Sequence, residues 1–371
     1  MDPKLLLATL ALPLTGWLCY RFRHRRKLSN GWLLVFTVLL VLDTSEWIYR
    51  KFYLTDPGTF STVNNYYVPD SVVGFHFKPG QIPALEYVWG GDTLYNTYYT
   101  IIPDTNQQGS NYPARKAFRS DTAQTEVVFL GCSFTFGEGL ADEETLPWQF
   151  GQLTGLSTVN RACNGLGVHQ VYQLFKTEYA RQDNRHRIFV YSFFAEHFFR
   201  ALGFYSWNLA GPDYSLEGDS LVTSGPIYPR RSSPGHRLAR AASLLGTFNL
   251  VGDRLESFFL IRAKRRLTEK RLAPFYRMFQ EMTRIAGETG GQFVVLDWDG
   301  VTEKTGSPVL DADLASGKLQ DIVTANHGRY LMVKDTLDRS TPGNYIPRDG
   351  HPTGKANGIL AAYIARSLGM H

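Results

Sequence analysis

The sequence has few cysteines, with only Cys19, Cys132 and Cys163 among its 371 residues. Three thiols cannot build the multi-bridge framework of a small disulfide-stabilised domain. Cys19 lies within an apolar stretch, whereas Cys132 and Cys163 each lie within a motif described below. We expect buried free thiols. The alternative that the sequence leaves open is a bridge between Cys132 and Cys163 in an oxidising compartment.

The sequence also lacks a strong excess of charge of one sign, since its formal net charge is +5. Much of that charge lies in one block, residues 21–27, between two apolar segments. This position is typical of a membrane surface, so no nucleic-acid partner is predicted. No spacing of His, Cys or Asp suggests a metal site, and no glycine-rich loop ends in Gly-Lys-Ser/Thr. We therefore predict no metal and no nucleotide or redox cofactor.

The two apolar segments cover residues 5–20 and 31–49. Both are slightly shorter than the roughly 20 apolar residues of a spanning helix. Asp43 and Glu46 lie near the end of the second segment, where they can reach water. We predict a transmembrane helical hairpin over residues 1–51, with its basic loop in the cytoplasm and the rest of the chain on the periplasmic or extracellular side. A cleaved signal peptide is disfavoured because the basic residues follow the first apolar run.

The remaining chain divides into two regions by pattern. Residues 52–121 contain short strands and turns, which predicts a β-rich appendage. Residues 122–371 alternate strands with helices and begin with the apolar run 125–130, which predicts an α/β fold with a parallel sheet between helices. Residues 200–265 interrupt this alternation with several Gly and Pro, so we predict an insertion there, placed as a lid over one edge of the domain.

A serine motif follows the first strand of the α/β region. Residues 131–139 read Gly-Cys-Ser-Phe-Thr-Phe-Gly-Glu-Gly and place Ser133 directly after the apolar run. In an open α/β sheet, ligands bind beyond the carboxyl ends of the strands. Glycines beside the serine allow a substrate to approach the backbone. The motif therefore indicates a nucleophilic serine, although Gly-x-Ser at a strand end is also a common turn.

A second motif, Asp349-Gly-His351-Pro, precedes the last predicted helix. A serine hydroxyl is a poor nucleophile near neutral pH and needs an adjacent base. That base must also be held in the correct tautomer, commonly by a carboxylate. His351 and Asp349 can supply these two groups to Ser133. The alternative is an ordinary surface turn that begins a helix.

In these motifs the chain resembles the SGNH/GDSL hydrolases, whose serine motif follows the first strand and whose Asp/His motif precedes the last helix. Residues 131–139 resemble the first block of that family, with Cys132 where Asp is usual. Residues 159–167 resemble the second block, which implies that Gly165 is the oxyanion glycine. Residues 349–351 resemble the fifth block, with one residue rather than two between Asp and His. The resemblance covers roughly residues 120–371 and implies a flavodoxin-like sheet.

The third block of the family, Gly-x-Asn-Asp, is absent from the chain. Phe-Ala-Glu-His occupies residues 194–197 in its place. In the family, the Asn of that block supplies a third oxyanion donor beside backbone N–H groups. We therefore predict an oxyanion hole formed by Ser133, Gly165 and His197. The alternative role for His197 is that of a buried structural histidine.

The resemblance implies a serine-dependent esterase or O-acyltransferase acting through Ser133, His351 and Asp349. Membrane-tethered members in exopolysaccharide clusters also carry an Asp-x-His pair, which favours an acyl, especially acetyl, ester of an envelope or exported polysaccharide. Transfer rather than hydrolysis would require an acyl donor, such as an acyl-exporting membrane protein. The alternative function is that of a catalytically degenerate glycan-binding or scaffold protein, because the family Asn is missing.

Overall fold

The computed structural model describes most of the chain and groups it into two compact units. One unit contains residues 1–57 and 232–263, and the other contains residues 58–231 and 264–371. The described residues are 13–52, 59–62, 67–89, 92–103, 112–180, 186–227, 258, 260–298 and 304–370.

The N-terminal unit contains a long helix, α1, over Arg26–Phe52. Among the described residues, no helix combines the length and the apolar character needed to cross a membrane. In α1 the uncharged apolar part is short, because Arg26 and Lys27 precede it and Asp43 and Glu46 follow it. The predicted spans 5–20 and 31–49 are therefore not supported, and residues 5–12 of the first span lie outside the described residues. The location of the remaining chain beyond a membrane stays a prediction.

The larger unit is organised around a nine-stranded sheet of order β1-β4-β5-β6-β8-β7-β9-β12-β13. Five neighbouring strands are parallel: β7 (Thr125–Leu130), β8 (Ser157–Asn160), β9 (His186–Phe193), β12 (Gln292–Asp297) and β13 (Arg329–Met332). Four antiparallel strands continue the sheet: β1 (Thr59–Thr62), β4 (Gly80–Trp89), β5 (Asp92–Ile102) and β6 (Ala114–Arg115). Two separate hairpins are β2 (Tyr67–Asp70) with β3 (Gly74–Phe77) and β10 (Pro212–Glu217) with β11 (Ser220–Pro226).

Helices cover both faces of the parallel strands. They are α2 (Ser133–Phe136), α3 (Leu146–Thr154), α4 (Val168–Tyr179), α5 (Glu196–Ala201), α6 (Glu269–Glu288), α7 (Pro308–Ala315), α8 (Lys318–Ala325) and α9 (Gly354–Ser367). In β9, Ile188 packs into the cluster formed with α3 and α9. On the opposite face, Phe189 meets Phe175 of α4 at 4.8 Å and Tyr191 meets Phe279 of α6 at 5.5 Å between ring centroids. Burial on both faces explains the apolar strands and confirms the predicted α/β fold.

Strands β1, β4, β5 and β6 belong to the same sheet as the parallel strands, whereas the hairpin β2–β3 stays separate. The sequence predicted a β-rich appendage over residues 52–121. The junction is the short strand β6, in which Arg115 pairs with Ile101 of β5 on one side and with Asn160 of β8 on the other. A short strand with two partners is difficult to detect from alternation, because so few residues carry the pattern. Within the predicted insertion, residues 212–226 form the hairpin β10–β11, and residues 228–257 lie outside the described residues.

Arg115 is completely buried and connects strand β6 to helix α2 and the loop that follows it. Its Nε donates to Asp142 at 3.0 Å, and its two terminal nitrogens donate to the carbonyl oxygens of Phe136, Gly137 and Leu140 at 2.6–2.7 Å. Burial lowers the pKa of Arg115, and the Asp142 carboxylate opposes that effect. A buried guanidinium is stable only when its donors are satisfied in this way.

Replacing Arg115 with Met should lower the free energy of unfolding by roughly 3–5 kcal/mol, because Asp142 and three carbonyl oxygens lose their donor while buried. Urea denaturation measures the change. The matched control is Arg284→Met, which breaks an exposed ion pair with Glu288 whose side chains are 52% and 58% accessible. That control should change stability by about 0.5 kcal/mol or less. Equal effects of the two substitutions would contradict the role given to Arg115.

Candidate active site

Ser133 lies where the sequence predicted it, at the carboxyl end of strand β7, which is paired between β8 and β9. Gly131 directly follows the strand and adopts φ of +148°. This backbone conformation favours glycine. A Cβ atom there would lie 2.7 Å from Thr135 Oγ1 and 3.1 Å from Ser192 O, so a larger residue would collide with both. Ser133 then begins the one-turn helix α2, and its side chain is half-buried.

The far end of α2 is held by a buried amide from the neighbouring strand. Asn160 Nδ2 donates to the carbonyl oxygens of Thr135 and Phe136 at 3.2 and 3.3 Å. The carbonyl oxygens at a helix end lack partners within the helix and need such donors. Together with Arg115, Asn160 therefore fixes the loop that carries Ser133.

The loop before α9 brings a histidine to this serine. His351 Nε2 lies 2.8 Å from Ser133 Oγ, and His351 Nδ1 lies 2.5 Å from Asp349 Oδ1. Since a carboxylate only accepts, Nδ1–H donates to Asp349 and Nε2 is left to accept the serine proton. The ring also packs edge-on against Phe134, with 5.1 Å between centroids. The structure therefore brings together the three residues that the sequence predicted as catalytic.

The spacing of one residue between Asp349 and His351 is accommodated by a tight turn. Gly350 adopts φ of +86°, and the backbone N–H of His351 donates to the same Asp349 oxygen that holds its ring, at 3.0 Å. Ile346 N–H donates to His351 O at 2.8 Å and closes the turn. One carboxylate oxygen thus orients both the backbone and the imidazole of His351, so the usual second intervening residue is not required.

Two backbone N–H groups lie in the loops predicted to form the oxyanion hole. Among the residues that the structure describes, neither the N–H of Ser133 nor that of Gly165 donates a hydrogen bond. Gly165 follows β8 with φ of +80°, and its loop is joined to the serine loop by Cys163 N–H donating to Gly131 O at 3.3 Å. Free N–H groups at adjacent strand ends have the chemistry of an oxyanion hole.

Among the described residues, His197 makes no hydrogen bond to Ser133. Its side chain is completely buried, and its Nδ1 lies 2.8 Å from the hydroxyl of Tyr191. In the described part of the chain its Nε2 has no hydrogen-bond partner and essentially no accessible surface. Burial lowers the pKa of His197 well below its usual value, with the Arg200 charge adding to the effect. The aromatic residues around it make it a core histidine, and its predicted role as an oxyanion donor stays untested.

A buried carboxyl group beside the triad received no role from sequence reasoning. Glu138 accepts a hydrogen bond from Tyr99 Oη at 3.3 Å and another from Asn164 Nδ2. Burial is the largest effect on this group and raises its pKa to about 7, while the charges of His351 and Asp349 lower and raise it respectively. The available signal was an acidic residue between two glycines of the serine motif, but nothing in the sequence indicated that it would be buried.

The cysteines near the site are free thiols, as predicted, and Cys132 and Cys163 are both buried. Burial raises the pKa of the Cys163 thiol well above its usual value. A reactive thiolate is therefore disfavoured at this position. Within the described ranges, no group of three His, Cys, Asp or Glu side chains is arranged to hold a metal ion.

The raised pKa of Glu138 predicts how stability depends on pH. The unfolded chain releases this proton near pH 4.5 and the folded chain near pH 7, so the folded state binds more protons between these values. Stability should therefore fall across this window by roughly 3 kcal/mol as pH rises, and Glu138→Gln should abolish that contribution. Urea unfolding at pH 4.5, 5.5 and 7 measures it.

The control for this experiment is Glu143→Gln, because Glu143 is an exposed carboxylate five residues away. Its substitution should leave the slope of stability against pH as in the parent chain. Identical slopes for the parent chain and Glu138→Gln would show that Glu138 titrates normally.

No protein-family model and no curated protein matches the chain. Among solved structures, it is similar to a member of the lipolytic protein G-D-S-L family from Veillonella parvula (10% identity, TM-score 0.37, 66% of this chain and 97% of that one). It is also similar to an acetylxylan esterase from Geobacillus stearothermophilus (11%, 0.39, 67% and 96%). A third is a family two carbohydrate esterase from Clostridium thermocellum in complex with cellohexaose (10%, 0.36, 70% and 69%).

Proposed function

We propose that the chain is a serine-dependent esterase or O-acyltransferase of the SGNH type, with Ser133 as nucleophile. The observation that supports this proposal is the chain of hydrogen bonds from Ser133 Oγ to His351 Nε2 at 2.8 Å and from His351 Nδ1 to Asp349 Oδ1 at 2.5 Å. The first distance allows direct proton transfer from the serine to the histidine. The second is a hydrogen bond through which the carboxylate orients the imidazole.

In the first step, Ser133 Oγ attacks the ester carbonyl carbon while its proton moves to His351 Nε2. Asp349 stabilises the resulting imidazolium through Nδ1–H. The negative charge on the former carbonyl oxygen is stabilised by the N–H groups of Ser133 and Gly165, each worth about 3 kcal/mol of barrier in comparable sites. Collapse of this intermediate expels the alcohol, which takes the proton from Nε2 and leaves an acyl-serine.

In the second step, His351 removes a proton from the acceptor, whose oxygen attacks the acyl-serine carbonyl. The resulting intermediate breaks its bond to Ser133 Oγ, which takes the proton back from His351 Nε2. Water as acceptor releases a carboxylic acid, and a sugar hydroxyl as acceptor forms a new ester. The triad serves both outcomes equally, so the acceptor that reaches the site decides between them. Analysis of products formed with and without a glycan acceptor distinguishes hydrolysis from transfer.

The proposed substrate is an acyl, especially acetyl, ester of an envelope or exported polysaccharide. Its support is the Asp-x-His spacing of residues 349–351, which resembles that of members found in exopolysaccharide clusters. A location beyond the cytoplasmic membrane and an acyl-exporting membrane partner are the corresponding proposals for place and donor. They rest on the basic block at residues 21–27 between two apolar segments.

A fluorophosphonate probe tests the nucleophile, because such probes react only with an activated hydroxyl. The purified chain should be labelled at Ser133, and Ser133→Ala should remove both labelling and hydrolysis of a small aryl acetate. The control is Ser340→Ala, which changes an exposed serine hydrogen-bonded to Asp338 and should keep full labelling. An unlabelled parent chain would instead favour the alternative of a degenerate binding or scaffold protein.

Asp349→Asn tests the orienting carboxylate separately. The amide can donate toward His351 Nδ1 and thereby favour the wrong tautomer, so kcat on the aryl acetate should fall by about 10²–10⁴-fold with little change in KM. Steady-state kinetics measures the loss, and circular dichroism checks the fold. An unchanged kcat would show that Asp349 does not orient the base.

A further inference from the structure

An exposed tryptophan lies beside the predicted oxyanion glycine. Trp207 belongs to the short 3-10 helix Ser206–Asn208, and 51% of its surface is accessible. One face of its indole stacks on Tyr205, with 4.8 Å between ring centroids and 26° between planes. Since that face is covered, the exposure of Trp207 belongs to its other face and its edges.

The position of this ring relative to the active site is set by hydrogen bonds. Trp207 Nε1–H donates to Gly165 O at 3.3 Å, and Asn208 Nδ2 donates to the same oxygen at 2.8 Å. Asn208 is buried and also donates to Gln170 Oε1 at 2.7 Å, which fixes the loop to α4. The exposed ring is therefore held against Gly165, the residue whose N–H group is proposed to bind the ester oxygen.

The glycine at position 165 is what permits this close approach. A Cβ atom there would lie 3.1–3.2 Å from the indole Nε1 and Cδ1 atoms, and 3.9 Å from Phe75. The indole edge thus rests directly against the backbone of the loop that carries the oxyanion N–H. A substrate whose carbonyl oxygen binds that N–H must extend past Trp207 in order to leave the site on this side.

We propose that Trp207, backed by Tyr205, is a carbohydrate subsite that binds one pyranose ring of the ester or of its acceptor. This proposal rests on the proposed function and names the part of the substrate that the triad does not contact. The weakly positive C–H groups on a pyranose face are attracted to the negative face of an indole. An acetyl group is too small to need such a surface, so the sugar is the part recognised.

A sugar fits these surroundings better than a long acyl chain does. A long acyl chain needs an enclosed apolar channel that excludes water. Trp207 instead presents a ring that is half exposed. The indole also has a polar edge, since its Nε1–H donates to the carbonyl oxygen of Gly165. A sugar can stack on the ring while keeping its hydroxyl groups in water.

The test compares the parent chain with Trp207→Ala and Trp207→Phe on two kinds of ester. One is a small aryl acetate, and the other is a panel of chemically acetylated cello-, xylo- and manno-tetraoses. For at least one tetraose, Trp207→Ala should lower the ratio of kcat/KM on the sugar ester to that on the aryl acetate by about tenfold, mainly through KM. Trp207→Phe retains an aromatic face and should keep most of the ratio.

The matched control is Tyr98→Ala. Tyr98 is another exposed aromatic residue, with 67% of its surface accessible. Its neighbour in β5, Tyr99, contacts Glu138. Because successive side chains of a strand point to opposite faces, Tyr98 points away from Glu138. The ratio should be unchanged in this variant. Equal losses on both kinds of ester in Trp207→Ala would show that the indole only supports Gly165, and an unchanged ratio on every tetraose would exclude a sugar subsite. Either result overturns the proposal.

A binding measurement separates failure of the subsite from failure of the proposed chemistry. The indole N–H resonance of Trp207 is identified as the cross-peak missing in Trp207→Phe. In Ser133→Ala protein, adding the unacetylated tetraoses should shift that resonance. A shift without any turnover in the parent chain would remove the esterase and keep the subsite, whereas turnover without a shift by any tetraose would do the reverse.

Discussion

The hydrogen bond between Ser133 and His351 joins residues 218 positions apart, and the proposed chemistry depends on its length of 2.8 Å. A proton moves directly between two groups only when they are in hydrogen-bond contact, so both loops must be fixed to within a fraction of an ångström. The serine loop is fixed from behind by Arg115 and Asn160. The histidine loop is fixed by its own turn and by the packing of its ring on Phe134.

The same requirement explains why charged groups are buried around the site. Arg115 donates hydrogen bonds to one carboxylate and to three carbonyl oxygens that follow Ser133 in the chain. Glu138 shares this buried region and links Tyr99 of β5 to Asn164 of the loop that carries Gly165. Polar networks in a low-dielectric interior are rigid when they are satisfied, because each lost hydrogen bond leaves a desolvated group. Rigidity is what a pre-formed triad needs.

The antiparallel strands contribute to the site, although they lie outside the region that resembles the SGNH/GDSL hydrolases. Strand β5 places Tyr99 against Glu138 and Tyr95 within 3.5 Å of Asp349 Oδ2. Strand β6 supplies Arg115. Strands β5 and β6 therefore supply side chains that contact the loops of the proposed active site. In the N-terminal unit, the predicted membrane spans are not supported among the described residues.

The sequence by itself determined the alternation of strands and helices and the loops that carry Ser133, Gly165, Asp349 and His351. These features are readable because an apolar run followed by Gly-x-Ser, or an Asp/His pair before a helix, is a local pattern whose neighbours are set by chain order. Tertiary structure alone decided that strands β1, β4, β5 and β6 extend the sheet, that Glu138 is desolvated and that His197 lies in the core. Strand pairing and burial depend on residues distant in the chain, so no local pattern carries them. His197 illustrates the difference: its place after the middle strand suggested an oxyanion donor, but the packing of Tyr191 and its aromatic neighbours buried it.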